Sequence, residues 1–262
     1  MSTLTLAARD SSTMLRRNLL HMRRYPSMTL LLIGMPVIFL LLFVYVFGGT
    51  LGAGLGPTGD RAQYANYVTP GILLITVASA AQGTAISVAM DMTEGIIARF
   101  RTMAIFRPSV LTGHVLGSLL QTLLSLAVVT GVALLVGFRP TANPVEWLAA
   151  IGVLAMITFA LTWLSVALGL VSKSVETASN LPMPLVLLPF LGSGFVPTDS
   201  MPTAVRLFAD YQPFTPVMET LRGLLLGTGI GSNGFLAVAW CAVITVLCFF
   251  WARALYNRNP AR

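Results

Sequence analysis

Six long stretches without a charged residue constrain this chain more than any other feature of its sequence. A transmembrane helix needs about 20 consecutive, mostly apolar residues to cross the hydrocarbon core of a bilayer. The stretches are Ser27–Phe47, Asn66–Met90, Leu111–Gly137, Trp147–Val171, Ala178–Phe195 and Asn233–Trp251. Each has about the required length, so they predict an all-α integral membrane protein with six transmembrane helices.

The domain organisation follows from how few residues lie outside these stretches. They account for most of the 262 residues, and only 10% of the chain is charged, against about 25% in an average soluble domain. We therefore expect one transmembrane domain over residues 1–262, without a soluble catalytic domain. It comprises an interfacial helix at 1–26, a six-helix bundle at 27–254 and a basic cytoplasmic tail at 255–262.

The net charge of +7 predicts membrane orientation rather than nucleic-acid binding, because the basic residues lie in the connections between apolar runs. If the N-terminus is cytoplasmic, twelve basic residues lie inside and four outside, a clear positive-inside bias. The inside set is Arg9, Arg16, Arg17, Arg23, Arg24, Arg99, Arg101, Arg107, Lys173, Arg253, Arg258 and Arg262. The outside set is Arg61, Arg139, Arg206 and Arg222. We expect a multi-pass protein of the cell membrane with both termini cytoplasmic, and the preference for Arg over Lys suggests a bacterial source.

The segment before the first run is patterned as an amphipathic helix. Arg9, Arg16 and Arg23 recur every seven residues on one side, and Leu4 and Leu15 lie on another. A basic helix of this kind lies in the plane of the membrane interface. We predict an interfacial helix that ends at Pro26.

Two features inside the runs predict how the helices pack. Small and polar residues recur at helical spacing in the third and fourth runs, as helix–helix contacts in membranes require. These ridges are Gly113, Gly117, Gln121 and Ser125, and Thr158, Thr162, Ser165 and Gly169. The fifth run contains Pro182, Pro184 and Pro189, so we expect this helix to be kinked or broken, which is tolerated where protein or a water-filled cavity surrounds the backbone.

The chain lacks the residues that several functions would need. A phosphate-binding P-loop requires Gly-Lys followed by Ser or Thr, whereas the single lysine, Lys173, follows Ser172. Ion-coupled transporters commonly carry acidic residues or His at membrane depth, but here the carboxylates lie at the ends of runs or between them. No nucleophile with a base and no metal-ligand spacing occurs at membrane depth. We expect no catalytic residue, metal or cofactor in this chain.

Two connections carry a family resemblance. The first runs Asp-Met-Thr-Glu-Gly-Ile-Ile-Ala-Arg-Phe-Arg-Thr-Met from Asp91 to Met103. The second includes Phe-Val-Pro-Thr-Asp-Ser-Met-Pro from Phe195 to Pro202 and ends in Leu-Arg-Gly-Leu at Leu224. Both resemble the corresponding segments of ABC-2 permeases, especially the daunorubicin-resistance group, and the resemblance covers essentially the whole chain.

The resemblance implies a permease that pairs with a second permease subunit and docks cytoplasmic P-loop ATPases, which would bind ATP and Mg²⁺. The loop after the second run would be a coupling helix in contact with the ATPase; its candidate residues are Asp91, Glu94, Arg99, Phe100, Arg101 and Arg107. The segment between the fifth and sixth runs would form short outer re-entrant helices at Pro197, Pro202, Pro213 and Pro216.

A substrate path between two subunits would need small, mildly polar residues on one side of a span. In the second run Thr76, Ser79, Gly83 and Ser87 follow helical spacing, and Asn180 stands near the break in the fifth run. We expect export of hydrophobic or amphipathic compounds, drug-like or lipid-like. Helix packing remains the alternative for these residues. The alternatives for the chain are export of a lipid-linked saccharide, a membrane-embedded enzyme or a passive channel.

Overall fold

The computed structural model describes residues 26–53, 60–94 and 108–258, and the regular elements in these ranges are all helical. The elements are α1 (Pro26–Leu41), a π-helical turn (Leu42–Phe47), α2 (Gly48–Ala53), α3 (Arg61–Thr93), α4 (Pro108–Val136), α5 (Pro144–Val171), α6 (Val175–Asn180), α7 (Met183–Leu187), 3₁₀ turns at Leu188–Leu191 and Thr198–Ser200, α8 (Thr203–Tyr211), α9 (Phe214–Leu226) and α10 (Asn233–Arg258). The predicted interfacial helix lies outside the described residues, except for Pro26.

Five helical stretches in the described ranges are long and apolar enough to cross a membrane. They are Leu32–Ala53, Arg61–Thr93, Leu111–Val136, Pro144–Val171 and Asn233–Tyr256. The fifth uncharged run instead forms the shorter apolar stretch Val175–Leu191, which is interrupted between α6 and α7. Proline lacks an N–H group and cannot continue a helix without disturbing it, so the predicted break is confirmed. Where six spans were predicted, the described residues form five full-length helices and one broken, shorter one.

Local signals in the sequence set the helix boundaries. The Asp60 carboxylate accepts a hydrogen bond of 2.8 Å from the Gln63 amide at the start of α3. Asn143 and Glu146 form a reciprocal capping box at the start of α5, which satisfies amide groups that the first helical turn leaves free. Gly227 ends α9 in the left-handed conformation, with φ of +72°, as glycine commonly does after a helix.

The centre of the bundle is built on α3 and α5, most of whose apolar stretches are buried. The ridge of small and polar residues on α5 faces inward: Thr158, Thr162 and Ser165 are buried. At Gly169 the two helices are so close that a Cβ atom would stand 2.7 Å from the Ala85 carbonyl oxygen on α3. The packing role predicted for this ridge is confirmed.

The outer helices leave large apolar surfaces exposed. Leu135 on α4 is 86% exposed and Phe235 on α10 is 78% exposed. In a membrane protein such surfaces contact lipid or another subunit. The bundle has two ends, named here by a residue at each: the Asp91 end, where α3 finishes and α4 begins, and the Arg222 end, where α3 and α5 begin.

Candidate transport path and coupling site

The residues predicted to couple the chain to an ATPase begin at the Asp91 end. Asp91 lies in the last turn of α3 and is buried, whereas Glu94 directly after the helix is exposed. The Glu94 amide donates to the Met90 carbonyl oxygen at 2.9 Å. Arg99, Phe100, Arg101 and Arg107 lie outside the described residues. Of the coupling candidates that the structure describes, therefore, only Glu94 has an exposed side chain.

Asp91 is paired with a residue that the sequence alone did not connect to it. Its Oδ2 atom lies 3.1 Å from Nε2 of His114, in the first turns of α4, and both side chains are buried. An ionised carboxylate can only accept, so Nε2 of the imidazole is the donor in that state. The sequence signal was weak: an acid and a histidine stand on either side of the same connection, 23 positions apart.

The predicted path residues divide into a buried member and an exposed group. Thr76 is fully buried, and its hydroxyl donates to the Ile72 carbonyl oxygen at 2.9 Å. It therefore contributes to packing within the subunit and does not face the exposed surface. Ser79 is half-buried, and Gly83 and Ser87 are exposed. A side chain added at Gly83 would meet no atom within 4 Å.

Asn180 lies beside this exposed group because α6 packs on α3. The Gln82 side-chain amide on α3 donates to the Ser179 carbonyl oxygen at the end of α6, at 2.7 Å. Asn180 follows directly and is exposed. The structure thus brings Asn180 near the Ser79, Gly83 and Ser87 face, which we name the polar stripe.

The segment after the broken run forms two short helices, as the resemblance to ABC-2 permeases implies. Pro202 precedes α8 and Pro213 precedes α9, while Pro216 lies in the first turn of α9 and Pro197 precedes a 3₁₀ turn. Helix α9 is largely buried against α3, α5 and α10. In contrast, α8 lies on the surface with Phe208 and other apolar side chains exposed.

Arg222 on α9 is a buried cation whose structural role the sequence analysis missed. Its guanidinium donates to the Ser193 carbonyl oxygen at 2.8 Å and to the Tyr67 carbonyl oxygen at 3.3 Å. It also lies 4.0 Å from the centre of the Tyr67 ring and forms an ion pair with Glu219. Arg222 therefore connects α9 with the start of α3 and with the turn after the broken run.

Aromatic rings hold the other side of that turn. The Phe195 ring stacks on Phe190 at 4.7 Å and lies 4.5 Å from Phe43 in the π-helical turn of the first span. Gly194, between Ser193 and Phe195, touches α3, because a Cβ added at Gly71 would stand 2.9 Å from the Gly194 carbonyl oxygen. At the Arg222 end, the turn after the broken run is thus closely packed against the first span, α3 and α9.

Comparison with known proteins decides the family. The sequence model of the ABC-2 type transporter family matches residues 10–226. The chain belongs to the ABC-2 type transporter family. It is accordingly the transmembrane permease of an ABC transporter, and the apolar helices agree with a multi-pass membrane protein.

Two relatives locate the chain within the ABC-2 type transporters. It is 29% identical over 250 residues to the daunorubicin resistance ABC transporter permease protein DrrB1 of Streptomyces coeruleorubidus, covering 94% of this chain and 86% of the relative. It is 23% identical over 214 residues to the probable doxorubicin resistance ABC transporter permease protein DrrC of Mycobacterium tuberculosis, covering 82% and 76%. The resemblance of the chain to the daunorubicin-resistance group is confirmed.

Proposed function

We propose that this chain is the permease of an ATP-driven exporter of hydrophobic or amphipathic drug-like compounds. The observation that carries the proposal is the 29% identity to a daunorubicin resistance permease along 94% of the chain. The bundle suits such a substrate: the charged residues of its spans lie near the helix ends, the polar stripe adds hydroxyl groups at the surface of α3, and Asn180 adds an amide at the end of α6. An apolar route with a few polar contacts accepts compounds of mixed character.

The proposed orientation puts the Asp91 end in the cytoplasm. The twelve basic residues of the inside set lie before α1, in the 94–108 and 172–174 connections, and from Arg253 onward. The four of the outside set lie at the Arg222 end. This asymmetry supports cytoplasmic termini through the positive-inside rule.

The segment from Val175 to Phe195 completes the proposed topology as a sixth, broken crossing. Its helical stretch from Val175 to Leu191 is continued by the turn that meets α3 at Gly71. The junction of this turn with Arg222 and α9 would then form an outer cap over the substrate path. The apolar side chains of α8 would lie against the outer surface of the membrane.

In the proposed mechanism, two permease subunits face each other across the path and two P-loop ATPases bind below them. The exposed glycine and hydroxyl groups of the polar stripe line the path, and Asn180 stands at its side. ATP and Mg²⁺ are bound by the partner ATPase. Closure of the ATPases moves the 94–108 connection and switches the path from inward to outward access.

The coupling connection is tested with two sets of substitutions. Phe100 is an apolar anchor between two arginines, and an aromatic side chain in a partner's pocket contributes strongly to binding. We expect Phe100→Ala to leave membrane insertion unchanged while transport and substrate-stimulated ATP hydrolysis fall together. Arg99→Lys with Arg101→Lys keeps the charge and therefore the topology, but loses bidentate contacts to carboxylates.

Each variant is co-expressed with the ATPase, and the amount of co-purified ATPase is measured together with transport. The double Lys variant is the matched control for topology, because both variants keep the positive charge of the connection. If both variants associate with the ATPase and transport like the wild type, the connection serves only to set membrane orientation. That result would contradict the docking role.

A further inference from the structure

The Asp91–His114 pair is unusual because it buries two ionisable side chains next to apolar packing. Asp91 is 8% exposed and His114 is 6% exposed. Val88, Leu111 and Val115 on the same two helices belong to a buried apolar cluster at this end. Burying two ionisable groups together carries a large desolvation cost.

Stability alone does not explain the pair. Removing one partner of a buried pair is strongly destabilising, but replacing both partners by apolar residues of similar size is often neutral or stabilising. Leu at both positions would extend the apolar cluster that includes Val88, Leu111 and Val115 on the same two helices. A fold that needed only a stable contact here could therefore use apolar side chains.

The position of the pair indicates what it does. Asp91 lies two residues before the last residue of α3, and His114 lies in the second turn of α4. The connection between these helices is the one to which the proposed function assigns the ATPase contact. The connection is attached to the bundle at the end of α3 and the start of α4. The pair therefore joins the two helix ends that would move with it.

We propose that Asp91 and His114 are positioning residues that hold the ends of α3 and α4 together, so that movement of the connection reaches both helices as one unit. This proposal rests on the proposed function, because it needs the connection to face the ATPase. Directional hydrogen bonding fixes the relative position of two helices more narrowly than apolar contact does. From Asp91, α3 continues as one helix to Tyr67 and its contacts with Arg222.

The test compares two variants with the wild-type complex. Asp91→Leu with His114→Leu removes the pair and keeps apolar packing, whereas Asp91→Asn keeps an oxygen that can accept from Nε2. We expect both to fold and to co-purify with the ATPase. Substrate-stimulated ATP hydrolysis and ATP-dependent transport should fall on the order of tenfold in the double Leu variant, within the range typical of coupling between sites. Asp91→Asn should retain most of both.

Ser118→Ala is the matched control in the same helix seam. The Ser118 hydroxyl bonds to Thr84, one turn deeper between α3 and α4, and its loss should leave coupling near the wild-type level. The proposal is overturned if the double Leu variant transports like the wild type. It is also overturned if that variant loses folded protein or ATPase association in proportion to transport, since the pair would then be structural or part of the docking contact. A wild-type permease that fails to bind the ATPase would instead contradict the proposed function.

Discussion

At the scale of single residues, glycines mark where α3 approaches its neighbours. Gly169 on α5 faces Ala85 and Val88 so closely that a Cβ would stand 2.7 Å from a carbonyl oxygen and 2.9 Å from the Val88 Cβ. Gly152 on the same helix is exposed, with no atom within 4 Å of an added Cβ. The two glycines therefore serve different purposes, although both lie in one uncharged run.

We expect Gly169→Ala to destabilise the permease and Gly152→Ala to leave it unchanged or slightly more stable. The first substitution forces α3 and α5 apart, and overpacking of this kind costs about 1–3 kcal/mol. Thermal unfolding of the purified proteins in detergent measures the difference. Equal melting temperatures for the two variants would show that the close contact at Gly169 is not present in the folded protein.

At the scale of elements, the helices follow directly from the sequence because uncharged runs can satisfy their backbone in lipid only by forming helices. The break in the fifth run was also predictable, since prolines lack the amide group that a helix needs. The Asp91–His114 pair and the contacts of Arg222 were not. Both depend on which helix ends become neighbours in space. The paired residues are 23 and 155 positions apart in the sequence, and local sequence rules do not predict contacts over such distances.

The predicted path residues also show how far the sequence alone can predict the structure. Helical spacing correctly put Ser79, Gly83 and Ser87 on one side of α3. It could not tell that Thr76, on the same predicted side, is covered by the rest of the bundle. Neighbouring turns of one helix differ in exposure because packed helices cross at an angle.

Substitution of Gly83 tests the role of the polar stripe. Because the space beside Gly83 is open within the subunit, Gly83→Leu should leave folding and assembly intact and change the order of preference among transported compounds. Gly152→Leu, at an equally open position on α5, is the matched control and should keep the wild-type preference. Transport of several compounds by both variants is compared at equal protein levels.

Two other results would assign this surface differently. Loss of subunit association in Gly83→Leu would make it a contact between permeases. Unchanged selectivity would make it a lipid-facing surface. Either result contradicts a path along the polar stripe.

At the scale of the whole molecule, one long helix, α3, runs between the Arg222 end and the Asp91 end. Tyr67 and Asp91 lie 24 positions apart on α3, or about 36 Å along a helix that contains Pro70 near its Tyr67 end. Lys173 and Arg253 lie at the Asp91 end, and the Arg222 end carries the junction of α9 with the broken run. In the proposed orientation, this helix would link the cytoplasmic connection to the outer cap.

The orientation of the molecule is tested by labelling single cysteines in intact cells with a reagent that cannot cross the membrane. The native Cys241 and Cys248 are buried and are replaced by Ala as background. We expect labelling of Asp199→Cys and none of Lys173→Cys, although both positions are exposed in the structure. The reverse pattern would contradict the cytoplasmic assignment of the Asp91 end.

The central claim, export driven by a partner ATPase, is tested most directly by drug uptake into inside-out membrane vesicles. The vesicles contain the permease with its ATPase, the permease with an ATPase whose P-loop lysine is replaced, or the ATPase alone. We predict uptake of hydrophobic, drug-like probe compounds only with the intact pair and ATP, and none in the two other preparations. Uptake that persists with the inactive ATPase would indicate a channel or an ion-coupled carrier, and absence of uptake by the intact pair would contradict drug export.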